Sequence, residues 1–176
     1  MRRPFVVFLV LVSLGSFAQQ NDTGIPIPMK NEIVFYEHAY PLTNPVKKEQ
    51  FYKKAVKWFN ESFPGSKEKI TVDKSTGKIS GKGVFKIITS ESAGHYYWLK
   101  PDIAITIRDD GYIFQAYNYY EKPIMPDVTN DYSKIEYRWR DFRKGKPWNP
   151  EDEALFKGLD QQTLLLMTSL EKKMSQ

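Results

Sequence analysis

Apolar residues recur with helical spacing in two segments of the chain. In residues 45–63, aromatic and aliphatic side chains return every three or four positions, with most lysines on the other side. After residue 150 the same period continues to Met174. Each segment opens with an Asn-Pro pair, at Asn44-Pro45 and Asn149-Pro150, which suits an N-cap followed by the first helical position. The second apolar stripe consists of Leu155, Leu159, Leu166, Leu170 and Met174, widened by Leu164, Leu165 and Met167.

Alternating and β-branched segments between the helices predict strands. Residues 32–40 form a first strand, and residues 70–72 and 78–89 form a hairpin around the turn residues 73–77. Gly81 and Gly83 share one face of this hairpin's long second strand. Because they carry no side chains, another element can approach there, or the strand can bend.

The dipeptide Asp110-Gly111 predicts a second hairpin. With these two residues as the loop, Ile107 pairs with Phe114, and residues 95–99 extend the strand before it as far as a break or bulge at Pro101. One face is a predicted core face of Ile103, Ile105, Ile107, Tyr112, Phe114 and Ala116. The other is a mixed face of Ala104, Thr106, Arg108, Ile113, Gln115, Tyr117 and Tyr119.

The resulting order of elements is β-α-β-β-β-β-α. This order predicts an α+β fold in which two helices pack on one face of a curved antiparallel sheet, since each helix and the sheet have one apolar side to bury. Residues 122–150 read as an irregular connection. Within it, residues 135–142 alternate apolar and charged side chains, which predicts a short extra strand.

The N-terminus has the pattern of a secretory signal peptide. Arg2 and Arg3 precede an apolar run over residues 5–14, and small residues occupy positions 16 and 18. The run is shorter than the roughly 20 residues that a membrane-spanning helix needs. The sequence therefore predicts cleavage after Ala18 and a periplasmic or extracellular protein, with a flexible leader at 19–31 and a single domain at 32–176.

Composition narrows the chemistry further. The chain has no cysteine, which excludes disulfides, thiol catalysis and cysteine-based zinc sites. Loss of residues 1–18 removes two of the 26 basic residues and leaves 24 against 21 acidic ones, a net charge of +3. That total is typical of an ordinary surface and does not predict binding to a polyanion.

Four features resemble a family of small exported bacterial proteins. They are the signal peptide ending in Ala18-Gln19, the helix ending Lys57-Trp58-Phe59, the hairpin sequence of residues 73–83, and the Ile-rich strand 103–107 with its Asp-Gly turn. The family is described only as a domain of unknown function with a TATA-binding-protein-like (TBP-like) fold. The resemblance covers roughly residues 32–121. It implies the β-α-β-β-β-β-α arrangement of half a TATA-binding protein, and it implies no activity.

Catalytic and metal-binding patterns do not emerge from the sequence. His38 and His95 are the only histidines, and neither has ligand spacing. The segment Asp73-x-Ser75-x-Gly77 lacks the further acidic ligands of a calcium loop and is typical of a turn. Serine-nucleophile and phosphate-loop motifs are absent from the sequence. We predict no catalytic residue, no metal and no cofactor.

Aromatic residues beside arginines are the candidate binding residues, because these side chains commonly anchor interfaces. They are Tyr117, Tyr119, Tyr137, Arg138, Trp139 and Arg140. They predict a non-catalytic binding or interaction module of the cell envelope, with a protein or a glycan rather than nucleic acid as partner. Residues 132–148 also fit an edge strand whose charged side chains face outward. The alternatives are a hydrolase of an envelope polymer that uses carboxylates such as Glu91, Asp109 or Asp127, and a structural envelope protein without a ligand.

Overall fold

The structure, a computed structural model, describes residues 27–41, 48–64, 69–140 and 149–176. These residues form an antiparallel sheet and three helices. The strands are β1 (Met29–Lys30), β2 (Ile33–Pro41), β3 (Thr71–Asp73), β4 (Lys78–Lys82), β5 (Phe85–Ser90), β6 (His95–Ile107), β7 (Gly111–Ile124) and β8 (Ser133–Lys134). The helices are α1 (Lys48–Ser62), α2 (Tyr137–Arg140) and α3 (Pro150–Ser175).

The long hairpin β6–β7 is the centre of the sheet. The strand order is β1-β2-β7-β6-β4-β3, and β5 and β8 pair with the far ends of β6 and β7. The predicted long strand 78–89 is therefore divided into β4 and β5, which pair with successive parts of β6. The α+β class and the antiparallel arrangement predicted from the sequence are confirmed.

Helix α1 lies against the two glycines that the sequence singled out. A Cβ atom on Gly81 would lie 3.1 Å from Cε1 of Phe59, and one on Gly83 would lie 3.0 Å from Cζ of Phe63. The missing side chains leave the space that these aromatic rings fill. Close approach of another element, one of the two options that the glycine pattern left open, is therefore observed.

Helix α3 packs on the same side of the sheet as α1. The Thr163 hydroxyl lies 2.8 Å from the hydroxyl of Tyr119, and Trp58 of α1 donates a hydrogen bond to Ser169 of α3. Most of the predicted stripe is buried or half-buried against the core. Leu164 and Leu165 are exceptions to the prediction, with Leu165 59% exposed, because they lie on the side of the helix that faces away from the core.

The N-cap of α3 is formed as predicted. The Asn149 side chain accepts a hydrogen bond of 2.8 Å from the backbone N–H of Asp152, and Pro150 follows it. We expect Asn149→Ala to lower the free energy of unfolding by about 1 kcal/mol, because that N–H loses its partner. Urea denaturation measures the change. Asn149→Asp should retain nearly all the stability, and equal losses in both variants would contradict a capping role. Asn44 and Pro45 lie outside the described residues.

Two local predictions are corrected by the pairing. Residues 135–142 do not form the predicted strand: β8 ends at Lys134, and residues 137–140 form α2. In the β6–β7 hairpin Ile107 pairs with Tyr112 rather than with Phe114, so the β6 residues near the turn pair two positions earlier on β7 than predicted. The Arg108 N–H donates to the Gly111 carbonyl, and the loop is therefore Asp109-Asp110, one residue earlier than predicted. Because the shift in pairing is even, every side chain stays on its predicted face, and all six core-face residues are buried.

A β-bulge explains one further difference. Lys100 pairs with Tyr120, while Asp102 pairs with Tyr117, so β7 contains one residue more than β6 between these pairs. Asn118, at φ 50°, lies within this bulge. The extra residue reverses the alternation, and Tyr119 therefore faces the helices and is fully buried. The prediction that Tyr119 lies on the mixed face was therefore wrong.

The folded unit includes residues that precede the predicted start of the domain. Ile27 is buried, and β1 pairs with β2, so residues 27–31 belong to the folded unit and not to a leader. The predicted signal peptide and cleavage site lie outside the described residues. None of the helices in the described part of the chain combines the length and apolar character required to span a bilayer.

Candidate binding face of the sheet

The sheet face opposite the helices carries a group of lysines and aromatic residues near β5 and β8. Side chains alternate along each strand, so the positions between the buried core residues point away from the helices. We define the lysine–aromatic face as Lys86, Tyr96, Trp98, Lys100, Tyr120, Lys122, Tyr132 and Lys134. All of its residues are partly or fully exposed, and Tyr132 is 43% exposed.

Strand register sets the arrangement of this face. Lys86, Trp98 and Lys122 lie side by side on three neighbouring strands, so Trp98 has a lysine on each side. The next row along the strands contains Lys100, Tyr120 and Lys134. In both rows an aromatic residue thus lies between two lysines from neighbouring strands, and Tyr96 lies next to Trp98 along β6.

Lysine ammonium groups lie over two of the rings of this face. Lys86 Nζ is 3.8 Å from the centre of the Tyr96 ring. Lys100 Nζ and Lys122 Nζ lie 5.8 and 5.7 Å from the centre of Tyr132. Such contacts keep the ammonium groups close to the face and oriented by the rings.

Positive and negative side chains lie on different parts of this sheet face. The outward positions of β5, of β6 up to Lys100 and of β7 beyond Asn118 carry lysines and no carboxylate. Lys86, Lys122 and Lys134 have no carboxylate within ion-pair distance among the residues that the structure describes. Several lysines elsewhere are paired, as in Lys48–Asp109 and Lys74–Glu49. The protein therefore has a locally basic region on its surface although its net charge is small.

Carboxylates appear at the other half of the same sheet face. Asp102 pairs with Lys82 and accepts a hydrogen bond from Asn118, and Glu37 accepts one from Gln115. A shallow cavity of about 260 Å³ lies beside Tyr117, between Lys78 and Lys82. Asp102 thus marks the end of the continuous positive charge.

A buried ion cluster lies behind the face, on the helix side of the sheet. The Arg138 guanidinium contacts Glu121 Oε1 at 2.7 Å and Asp152 Oδ1 at 2.8 Å and lies over the Tyr97 ring. Glu121 is 4% exposed and Asp152 is 1% exposed. Burial raises the pKa of Glu121, against the lowering effect of Arg138, and burial raises the pKa of Tyr97 to about 12. The cluster connects β7, α2 and α3.

The candidate binding residues from the sequence fall in three different places. Tyr117 is on the helix-free face, stacked on Phe35, while Tyr119 is in the core. Arg138 is held in the ion cluster, and Tyr137 beside it is 44% exposed. Helix α2 contains Trp139 and Arg140, whose side chains lie outside the described part of the structure. The predicted residues therefore do not form one surface.

Two of the carboxylates considered for hydrolysis, Glu91 and Asp109, are separated by the length of β6. Glu91 lies in the turn before β6, and Asp109 lies in the turn after it, paired with Lys48. A strand of this length spans about 40 Å. These two side chains cannot act on one bond. Asp127 follows the end of β7.

The remaining polar candidates have structural contacts. His95 Nδ1 is 3.4 Å from Glu151, and the His38 ring packs edge-on against Tyr40. The Asp73 carboxylate accepts hydrogen bonds from Ser75 and Thr76, and these bonds lower the pKa of Asp73 to about 2. Residues 73–77 form the turn of the β3–β4 hairpin, with φ of 75° at Gly77.

Sequence reasoning missed the lysine–aromatic face. Tyr96, Trp98 and Lys100 alternate with the core residues Tyr97 and Leu99, which is a signal for an outward aromatic row. The lysines beside them come from strands far apart in sequence. Their proximity depends on the pairing of β5, β7 and β8.

Comparison with known proteins supports the fold described above. Residues 42–121 match the family model described as "Domain of unknown function (DUF4468) with TBP-like fold". A TBP-like protein from Parabacteroides distasonis superposes with a TM-score of 0.69 at 15% identity, covering 85% of this chain and 97% of that one. A DUF4468 family protein from Bacteroides ovatus gives a TM-score of 0.66 at 16% identity, covering 85% and 91%.

A search of curated proteins finds no match. At these identities the two solved structures establish the fold alone. They confirm the architecture that the sequence resemblance implied, with helices on one side of an antiparallel sheet. The chain is thus similar to the DUF4468 family over residues 42–121, and its fold is TBP-like.

Proposed function

We propose that this protein is a non-catalytic binding module of the cell envelope and that the lysine–aromatic face is its binding surface. The observation that carries the proposal is the row Lys86, Trp98 and Lys122, in which a partly exposed tryptophan lies between two lysines without ion-pair partners in the described chain. Tryptophan and tyrosine contribute much of the free energy at binding surfaces. The envelope location derives from the predicted signal peptide.

The arrangement suits binding better than chemistry. The face is an outward surface of the sheet, and its only ionisable groups of either sign are lysines and tyrosines. Its rows are held by continuous strand pairing, so the surface is organised before a partner arrives. Preorganisation of this kind reduces the entropy lost on association.

The test is sedimentation of the purified protein with envelope fragments isolated from Bacteroides ovatus, the source of one similar structure. We expect Trp98→Ala to weaken binding about tenfold or more, because the central ring is lost. Lys86→Glu and Lys122→Glu should weaken it as well, and these partly or fully exposed positions tolerate the change without unfolding.

The matched control is Tyr137→Ala, which removes an exposed aromatic ring that is not part of the lysine–aromatic face. We expect this variant to bind like the original protein. If Tyr137→Ala abolishes binding while Trp98→Ala does not, the surface near α2 is the binding site and this assignment is wrong. If neither the unmodified protein nor any variant sediments with the fragments, that result would contradict an envelope-binding function.

A further inference from the structure

We infer that the lysine–aromatic face binds an anionic polysaccharide, a chain of sugars that carry carboxylate or other acidic groups. This inference rests on the proposed function and names the class of its ligand. The first argument is charge: the face presents four lysines and no carboxylate, and Lys86, Lys122 and Lys134 have no carboxylate within ion-pair distance among the described residues. A ligand with repeated negative charge complements this surface.

The spacing of the charges fits a repeating ligand. Neighbouring strands lie about 4.8 Å apart, so the backbones of Lys86 and Lys122 are about 10 Å apart with Trp98 between them. Lys100 lies two residues, about 7 Å, along the strand from Trp98. The basic groups therefore surround the aromatic centre and are not concentrated at one point.

The aromatic centre favours sugars over a peptide. A pyranose ring has a face of C–H groups that packs flat on an aromatic ring, while its acidic substituents lie at the ring edge, within reach of the flanking lysines. The residue types also differ from those of a protein interface, which is usually depleted in lysine and enriched in arginine. Every basic residue on this face is a lysine.

The limits of the basic surface disfavour nucleic acid. Binding to a single strand depends on a basic groove that follows many phosphates. Here the next outward residue of β6 after Lys100 is Asp102, and Glu37 lies further along the same sheet face. A long phosphate backbone would meet these carboxylates, whereas two or three sugar units fit within the lysine–aromatic face.

The experiment is calorimetric titration of the purified protein with oligogalacturonate, an oligosaccharide with one carboxylate per sugar. Its fully methyl-esterified form is the neutral control of the same shape. We expect oligogalacturonate to bind and the ester to bind at least about tenfold more weakly, because the flanking lysines lose their partners. Trp98→Ala and Lys122→Glu should each weaken binding by about tenfold or more.

Lys172→Glu is the matched variant, since it makes the same charge change on α3, away from the face. We expect it to retain binding. An equal loss in Lys172→Glu, or equal binding of poly-glutamate, would show attraction by charge alone and overturn the inference. Tighter binding of oligo(dT) would assign the face to nucleic acid. Absence of oligogalacturonate binding, with envelope sedimentation still dependent on Trp98, would reject the sugar class while leaving the binding module in place.

Discussion

Replacing Arg138 with methionine is expected to lower the free energy of unfolding by about 3–5 kcal/mol near pH 8, because two buried carboxylates lose a shared partner. Arg138 contacts both Glu121 and Asp152, which are almost fully enclosed. The Arg138 side chain is itself 18% exposed, so solvent screens the interaction little. Urea denaturation, monitored by tryptophan fluorescence, measures the change.

The loss should depend on pH in a defined direction. Burial already raises the pKa of Glu121 above its ordinary 4.5, and removing Arg138 takes away the contacts that oppose this rise. Between the ordinary value and the raised one, the folded protein binds more protons than the unfolded chain. Stability therefore increases as the pH falls through that window. The difference between Arg138→Met and the original protein should be smaller near pH 5 than near pH 8.

Arg108→Met is the control, because Arg108 is an exposed arginine next to the β6–β7 loop. We expect its effect to stay within about 0.5 kcal/mol. Combining Arg138→Met with Glu121→Gln should recover part of the lost stability, since one uncompensated charge disappears. A small loss in Arg138→Met that is equal at both pH values would contradict an ion cluster that joins β7, α2 and α3.

Gly158→Ala is expected to destabilise the protein, although alanine is the better helix former. In an exposed helix interior this change stabilises by about 1 kcal/mol. Gly158 in α3, however, faces Ile87 of β5, and an added Cβ atom would overlap Ile87 Cγ2 and lie 3.1 Å from Ile87 Cδ1. Overpacking typically costs about 1–3 kcal/mol, which exceeds the gain in helix propensity.

A double-mutant cycle separates the two effects. Ile87→Ala alone should lower stability by about 2–5 kcal/mol, as for other buried isoleucines. In that background the space beside residue 158 is open, so Gly158→Ala should become neutral or stabilising. Comparison of Gln161→Gly with Gln161→Ala, at an exposed position of the same helix, gives the glycine-to-alanine propensity effect without the contact. A stabilising Gly158→Ala in the original protein would contradict close packing of α3 on β5.

Local patterns determined much of the fold. The 3.6-residue period located α1 and α3, and the Asn149-Pro150 pair located the start of α3. Alternation assigned the β6–β7 core face correctly even though the hairpin register was wrong by two residues, since an even shift preserves the faces. Gly81 and Gly83 indicated where α1 approaches the sheet. These signals are local, because they depend on spacing within a few residues.

The lysine–aromatic face depends on the tertiary structure. The bulge near Asn118 moved Tyr119 into the core, and a buried ion cluster took Arg138, so two candidate binding residues have other environments. Neither outcome has a signal in local spacing, because each depends on a partner strand or helix. The fold class, both long helices and the core face of β6–β7 followed from local sequence patterns alone. Only tertiary pairing decided that lysines from β5, β7 and β8 meet Trp98 of β6, because charges distant in sequence become neighbours only when strands align.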